Sequence, residues 1–187
     1  MPIRYYSTNR HVNAVEGITP FTEDVSFQEA LLAGQAPDEG LFMPDRIPQL
    51  SMGDIIALRD KPYWQAALLV SSAFLSEEFT PDVLESIVKN ENNNPVHMEA
   101  VYPRAFILRL DQGPTASFKD FAARMMARLM SHCRPHGERI NILVATSGDT
   151  GSAVGEAYKG VSGIDVNILY PAGEVSPMQK KQLDTIG

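Results

Sequence analysis

The pattern of apolar and polar positions changes once along the chain. Up to about residue 90 it predicts short helices joined by turns, preceded by one strand over residues 4–8. Ser26-Phe27-Gln28-Glu29 reads as a capping box, with Ser26 as N-cap and Glu29 reaching back. The helix it opens should stop at Gly34. Ala36-Pro37-Asp38-Glu39-Gly40 predicts a turn ahead of Leu41-Phe42-Met43-Pro44. A second helix starts at Ser51. A third, from Tyr63 through Val70 to Phe74, is apolar on most sides and is expected to be buried. Thr80 before Pro81 places a good N-cap ahead of a proline at N1, opening a helix to about Val88. The run Asn90-Glu91-Asn92-Asn93-Asn94-Pro95 is polar and proline-terminated, and sets the expected boundary between domains 1–94 and 95–187.

Beyond that boundary, strand and helix patterns alternate. Residues 105–110, 139–146 and 164–170 read as strands, the last one buried. Helices are predicted over about 119–133, over about 150–158 with a stop at Gly160, and from Ser176-Pro177 almost to the last residue. This alternation predicts parallel βαβ units with helices on both faces of a sheet, so the fold class is α/β. Ligands in such sheets bind beyond the carboxyl ends of the strands.

Composition narrows the setting. With 187 residues, 44% of them hydrophobic and 21% charged, the chain is ordinary globular material for one domain, or for a small domain plus part of a larger one. A net charge of −7 argues against generic attraction to nucleic acid or to an anionic membrane. One cysteine excludes an internal disulfide and fits a reducing compartment, the cytoplasm. There is no bilayer-length apolar run, no signal-peptide pattern and no internal repeat.

Two segments carry candidate chemistry. The first is Gly113-Pro114-Thr115-Ala116-Ser117-Phe118-Lys119-Asp120, which opens a helix. Phe118, Phe121, Ala122, Met125, Met126 and Leu129 recur at three- and four-residue spacing as an apolar stripe, and Lys119 falls on its flank. Burial and the positive end of the helix dipole both disfavour an ammonium there, and a neutral amine is what imine chemistry with an aldehyde needs. The alternative is a snorkelling lysine whose neighbour Asp120 offsets the local field. The second segment is Thr146-Ser147-Gly148-Asp149-Thr150-Gly151-Ser152, between a strand and a helix. Two glycines allow a tight turn, and N–H groups and hydroxyls converge near a helix N-terminus to suit a carboxylate or phosphate. A plain capped βα turn has the same residue types. The loop is neither a Walker A motif nor the dinucleotide fingerprint, since its glycines are spaced differently. His132, Cys133 and His136 have no carboxylate cluster nearby and are read as no metal site. Trp64 and the methionines read as core, and Arg104 and Arg109 as surface residues.

Together the two motifs resemble those of threonine synthases, pyridoxal-phosphate (PLP) enzymes of fold type II, the tryptophan-synthase-β type. Tyr5-Tyr6-Ser7-Thr8, Val25-Ser26-Phe27-Gln28-Glu29-Ala30 and the stretch from Ala36 to Pro44 are similar to that family's N-terminal domain. The resemblance implies a small N-terminal α+β domain followed by the first part of a parallel-sheet PLP domain. It implies conversion of O-phospho-L-homoserine and water to L-threonine and phosphate. Lys119 becomes the lysine that forms the imine with PLP and later acts as general base and acid. Ser147, Gly148, Thr150 and Gly151 become the grip on the substrate carboxylate. Asp149 and Phe118 border the cofactor. Many relatives of this fold type have Asn at the position of Asp149, so an ionised Asp149 near a phenolate is either protonated or faces a donor elsewhere. Family members are more than twice as long, and their phosphate-cradling glycine loop and the partner of the pyridine nitrogen lie further along. The chain is therefore expected to be an N-terminal portion. The other readings are a non-catalytic homologue and an anion-binding module of the same fold. The oligomeric state is not readable from the residues.

Overall fold

In the computed structural model, which describes residues 2–11, 17–91 and 96–186, local capping signals set several of the helix starts. The elements run β1 (Tyr5–Ser7), α1 (Phe27–Ala33), β2 (Phe42–Pro44), α2 (Met52–Ala57), α3 (Tyr63–Leu75), α4 (Pro81–Glu91), β3 (His97–Tyr102), β4 (Ala105–Arg109), α5 (Lys119–Cys133), β5 (Ile140–Ala145), α6 (Asp149–Tyr158), β6 (Ile164–Leu169) and α7 (Pro177–Thr185). They form two units, Met1–Lys61 with Gln65–Val88, and Pro62–Trp64 with Lys89–Gly187.

In the first unit, Ser26 and Glu29 make the expected capping box, and Gly34 ends α1 with φ 73°. The Glu78 carboxylate accepts from the N–H groups of Phe27 and Gln28 at 2.8 and 3.0 Å, satisfying two more donors of the first turn. β1 pairs antiparallel with β2, with Tyr5 opposite Pro44. Ile3, Tyr5 and Ala30 form one core cluster, wrapped by Val25, Phe27, Phe42 and Phe74, and Leu75, Phe79, Leu84 and Val88 are buried as well. The Phe27 ring meets Tyr5 at 5.8 Å and Phe79 at 6.1 Å.

One buried polar group organises the loops of this unit. Asp38 is fully buried, and its carboxylate accepts from Ser7 Oγ at 2.5 Å, Phe21 N–H at 2.8 Å and Gly40 N–H at 3.1 Å. A Cβ on Gly40 would overlap Ser7 Oγ and press on Asp38. α3 departs from expectation, being mostly half-buried with only Leu75 buried. Its apolar residues surround the whole circumference, more than one packed layer covers.

The second unit departs further. Residues 105–109 do not join a parallel sheet. β4 pairs antiparallel with β3, an unanticipated strand, and Arg104 takes φ 68° in the turn between them. Every β3 residue is exposed, so the hairpin has no buried face to mark it in the sequence. Arg109 pairs with Glu99 at 2.5 Å and Asp111 at 2.7 Å, which holds the Asp111 carboxyl well below the usual carboxylate range. β5 and β6 pair in parallel from Ile140 opposite Ile164 to Ala145 opposite Leu169, and α6 connects them. This is the βαβ unit among the described residues. β6 is not buried throughout: Ile164, Val166 and Ile168 face inward while Asp165, Asn167 and Leu169 are exposed. α6 covers one face of the pair.

α5 spans the expected residues, but its buried face is not the predicted stripe. Asp120, Ala123, Ala127, Leu129 and Met130 are buried. Of the stripe only Leu129 is buried, Ala122 is exposed and Phe118 is 63% exposed. The physical reason is the partner. α5 packs on α6, whose buried residues include Gly151, Ser152, Ala153, Gly155 and Ala157. Ala123 and Ala127 are small enough for a close approach of the two helices, whereas Gly151 and Gly155 of α6 face Ile168 of β6 and the α7 side. Tyr158 Oη donates to Met130 Sδ at 2.8 Å, and burial pushes the Tyr158 phenol up to about 12. The methionines are not uniformly core, since Met43, Met52, Met98 and Met178 are exposed. Trp64 is half-buried, with Lys89 Nζ 5.0 Å from its ring. Among the described residues no helix is long and apolar enough to cross a membrane.

Burial raises the Asp38 carboxyl, but the bonds from Ser7, Phe21 and Gly40 outweigh it and leave it below its ordinary value. A lowered carboxyl stabilises the fold above its unfolded value, about pH 4, and loses that contribution as pH falls through the lower folded value. Urea midpoints should therefore be lower for Asp38→Asn than for the parent near neutral pH, with the gap narrowing in acid. A gap independent of pH would contradict the assignment.

Candidate active site

α5–α6 packing brings the two chemical segments together. Lys119 is the first residue of α5 and half-buried, and its Nζ donates to Thr150 Oγ1 at 2.6 Å across 31 residues of sequence. Thr150 is in the first turn of α6. Phe118 lies outside the core and beside the amine, with Lys119 Nζ 5.9 Å from its ring centroid.

Asp120 does more than offset a field. It is 3% exposed, and its carboxylate accepts from Thr115 N–H at 3.0 Å and Thr115 Oγ1 at 2.6 Å. The loop before α5 is thereby bonded back onto the helix. Ala116 takes φ 58°, unusual for a residue with a Cβ, and a Cβ on Gly113 would overlap the Asp120 carboxylate. Ser117 is buried, and its Oγ accepts from Lys119 N–H at 3.3 Å.

The loop after β5 is organised by Thr146. Its Oγ1 accepts from Gly148 N–H and Gly151 N–H, both at 3.0 Å. Those two N–H groups shape the turn. Asp149 and Thr150, at the start of α6, have N–H groups with no intrahelical acceptor. Gly148 takes φ 142° and is buried, while Ser147 and Asp149 are exposed. Asp149 Oδ1 accepts from Gln179 Nε2 at 2.7 Å, so a donor faces this carboxylate. Gln179 also closes the capping box of α7. Its Oε1 accepts from Ser176 N–H at 3.1 Å, and Ser176 Oγ accepts from Gln179 N–H at 3.3 Å. One turn on, Gln182 Nε2 donates to the Thr115 carbonyl at 3.3 Å.

Thr146, Gln179 and Gln182 were not among the residues expected from sequence. Ser176-Pro177 reads as a helix start in the sequence, but the Gln179 capping box and its reach to Asp149 are findings of the structure. Among the described residues, no group of three or more His, Cys, Asp or Glu side chains is placed to hold a metal ion.

The arrangement joins an amine, a hydroxyl and a helix N-terminus, which suits a ligand bearing an aldehyde and an anionic group. Comparisons with known proteins give the family. Residues 4–91 match the family described as the threonine synthase N terminus. Threonine synthase from Haemophilus influenzae is 41% identical over 165 residues, covering 88% of this chain and 38% of that protein. The solved structure of a PLP-bound threonine synthase from Brucella melitensis superposes with a TM-score of 0.84 at 36% identity, covering 96% of this chain and 38% of that one. That of threonine synthase from Escherichia coli also gives 0.84, at 34% identity, covering 98% of this chain and 40% of that one. The chain thus spans about two fifths of the length of these relatives. It belongs to the threonine synthase family and matches the N-terminal portion of its members.

Proposed function

We propose that this chain supplies the PLP lysine and the substrate-carboxylate loop of a threonine synthase. That enzyme is a carbon–oxygen lyase converting O-phospho-L-homoserine and water to L-threonine and phosphate. The supporting observation is the hydrogen bond from Lys119 Nζ to Thr150 Oγ1, which joins two segments distant in sequence. On this reading residues 95–187 are the first part of a PLP-binding domain, residues 1–94 are the family's N-terminal domain, and the protein works in the cytoplasm on a small-molecule substrate.

The residues present fit the cofactor. A half-buried amine stands at a helix start next to a hydroxyl and first-turn N–H groups that have no intrahelical acceptor, the set that an aldehyde and a carboxylate require. When bound, PLP supplies an electron sink for carbanion chemistry. Lys119 Nζ would hold it covalently and carry protons to and from the substrate. The Thr150 hydroxyl accepts from that amine and keeps its own hydrogen for the substrate carboxylate. Ser147 and the first N–H groups of α6 would complete the grip, while Gly148 and Gly151 hold the turn closed on Thr146. Asp149 and Phe118 would border the cofactor.

Borohydride reduction of the full-length protein followed by peptide mapping should place the pyridoxyl group on Lys119. The Lys119→Ala variant should lose the visible cofactor absorption. A pyridoxyl group on another lysine, such as Lys159, would overturn the assignment. Phosphate release from O-phosphohomoserine, with threonine formed in equal amount, tests the reaction itself.

Thr150→Val keeps the shape and removes the hydroxyl. Substrate affinity should fall by about 1–3 kcal/mol, the cost of an underbonded charged group, with the cofactor spectrum intact. Unchanged KM and kcat would make Thr150 an ordinary first-turn residue.

A further inference from the structure

We infer that α7 is a positioning element for the lysine site, and that Gln179 is the residue on it that orients Asp149. The inference rests on the proposed PLP site for its functional meaning, but its geometry stands independently. Gln179 uses both ends of one amide. Its oxygen accepts from Ser176 N–H and closes the helix cap, and its nitrogen donates to Asp149 Oδ1. The cap fixes where the side chain starts, so the donor has a defined direction. The amide also lies against Gly148, where a Cβ would overlap Gln179 Cδ, Nε2 and Oε1. The loop and the amide therefore fit each other by shape as well as by hydrogen bond.

Gln182 extends the same logic to the other loop. Its amide donates to the Thr115 carbonyl, and Thr115 is bonded to Asp120 beside Lys119. One helix face thus reaches both segments that meet at the Lys119–Thr150 bond. Asp149 and Thr150 are consecutive, so fixing Asp149 also limits how the Thr150 hydroxyl can turn toward the amine. The donor matters because an ionised carboxylate can only accept. An amide nitrogen facing it selects the orientation in which the carboxylate meets α7.

The capping role and the orienting role separate by substitution. Gln179→Glu keeps the cap, since Glu is a usual residue at that place in a capping box, but it turns the donor facing Asp149 into a second acceptor. Adding Asp149→Asn to Gln179→Glu restores one donor and one acceptor with the direction reversed. Hydrogen exchange of the peptide spanning residues 146–151 reads the loop without any cofactor. In the full-length protein, exchange in that peptide should speed up roughly tenfold or more in Gln179→Glu, while the start of α7 keeps its protection. The Asp149→Asn/Gln179→Glu pair should return it close to the parent. Parent-like loop exchange in Gln179→Glu would overturn the inference, and so would a faster loop that the reciprocal pair fails to rescue. A protein that shows the exchange pattern but takes up no PLP would keep the positioning role and defeat the proposed function instead.

Discussion

The close approach of α5 and α6 is the constraint on which the site depends. Lys119 is carried on the first residue of one helix and Thr150 on the first turn of the other, so their separation follows from how near the two helices lie. Gly151 and Gly155 face Ile168 of β6 and the α7 side, whereas the other small buried residues are Ala123 and Ala127 on α5 and Ser152, Ala153 and Ala157 on α6. Larger side chains there would part the helices by ångströms, and a 2.6 Å hydrogen bond does not survive such a shift. α6 is held in turn by the parallel pair β5–β6, whose shared register aims both strand ends at the same side.

The two units solve a similar problem in the same way. Each contains a buried aspartate that accepts from a hydroxyl and from backbone N–H groups of a neighbouring loop, Asp38 in the first and Asp120 in the second. Each has a glycine where a side chain would collide with that arrangement, Gly40 and Gly113. A buried carboxylate is costly unless its oxygens are satisfied, and here the satisfaction comes from loop backbone that would otherwise face water. The loops acquire a fixed path, and in the second unit that path ends at the lysine.

Local signals in the sequence were legible because their physics is local. Ser26–Glu29, Ser176-Pro177, Gly34 and the start of α5 involve residues a few positions apart. The lysine and glycine segments stood out as a pair through their resemblance to threonine synthase motifs, since each alone also fits a snorkelling lysine or a capped turn. The rest depended on partners. The α5 stripe misled because apolar periodicity weights large side chains, whereas this helix buries two alanines, and an Asp120 whose carboxylate bonds the loop before it. The hairpin was missed because His97–Tyr102 buries none of its residues, leaving no alternation to detect. Thr146 bonds within its own loop and looks like an ordinary turn residue, whereas Gln182 binds the Thr115 carbonyl, which only the fold supplies.

The bonds around Lys119 span very different lengths of chain. Thr115 and Asp120 are five residues apart, whereas Lys119 and Thr150 are 31 apart. Logarithmic scaling of loop-closure entropy makes the longer closure costlier by on the order of 1–2 kcal/mol. During folding, the strap of Asp120 on Thr115 can close as soon as α5 has its first turn, on the timescale of small loops and single helices. The amine is then already mounted in its bend before β5 and β6 have paired. The contact between the two chemical segments is a late event, arriving with the non-local packing that sets the folding rate.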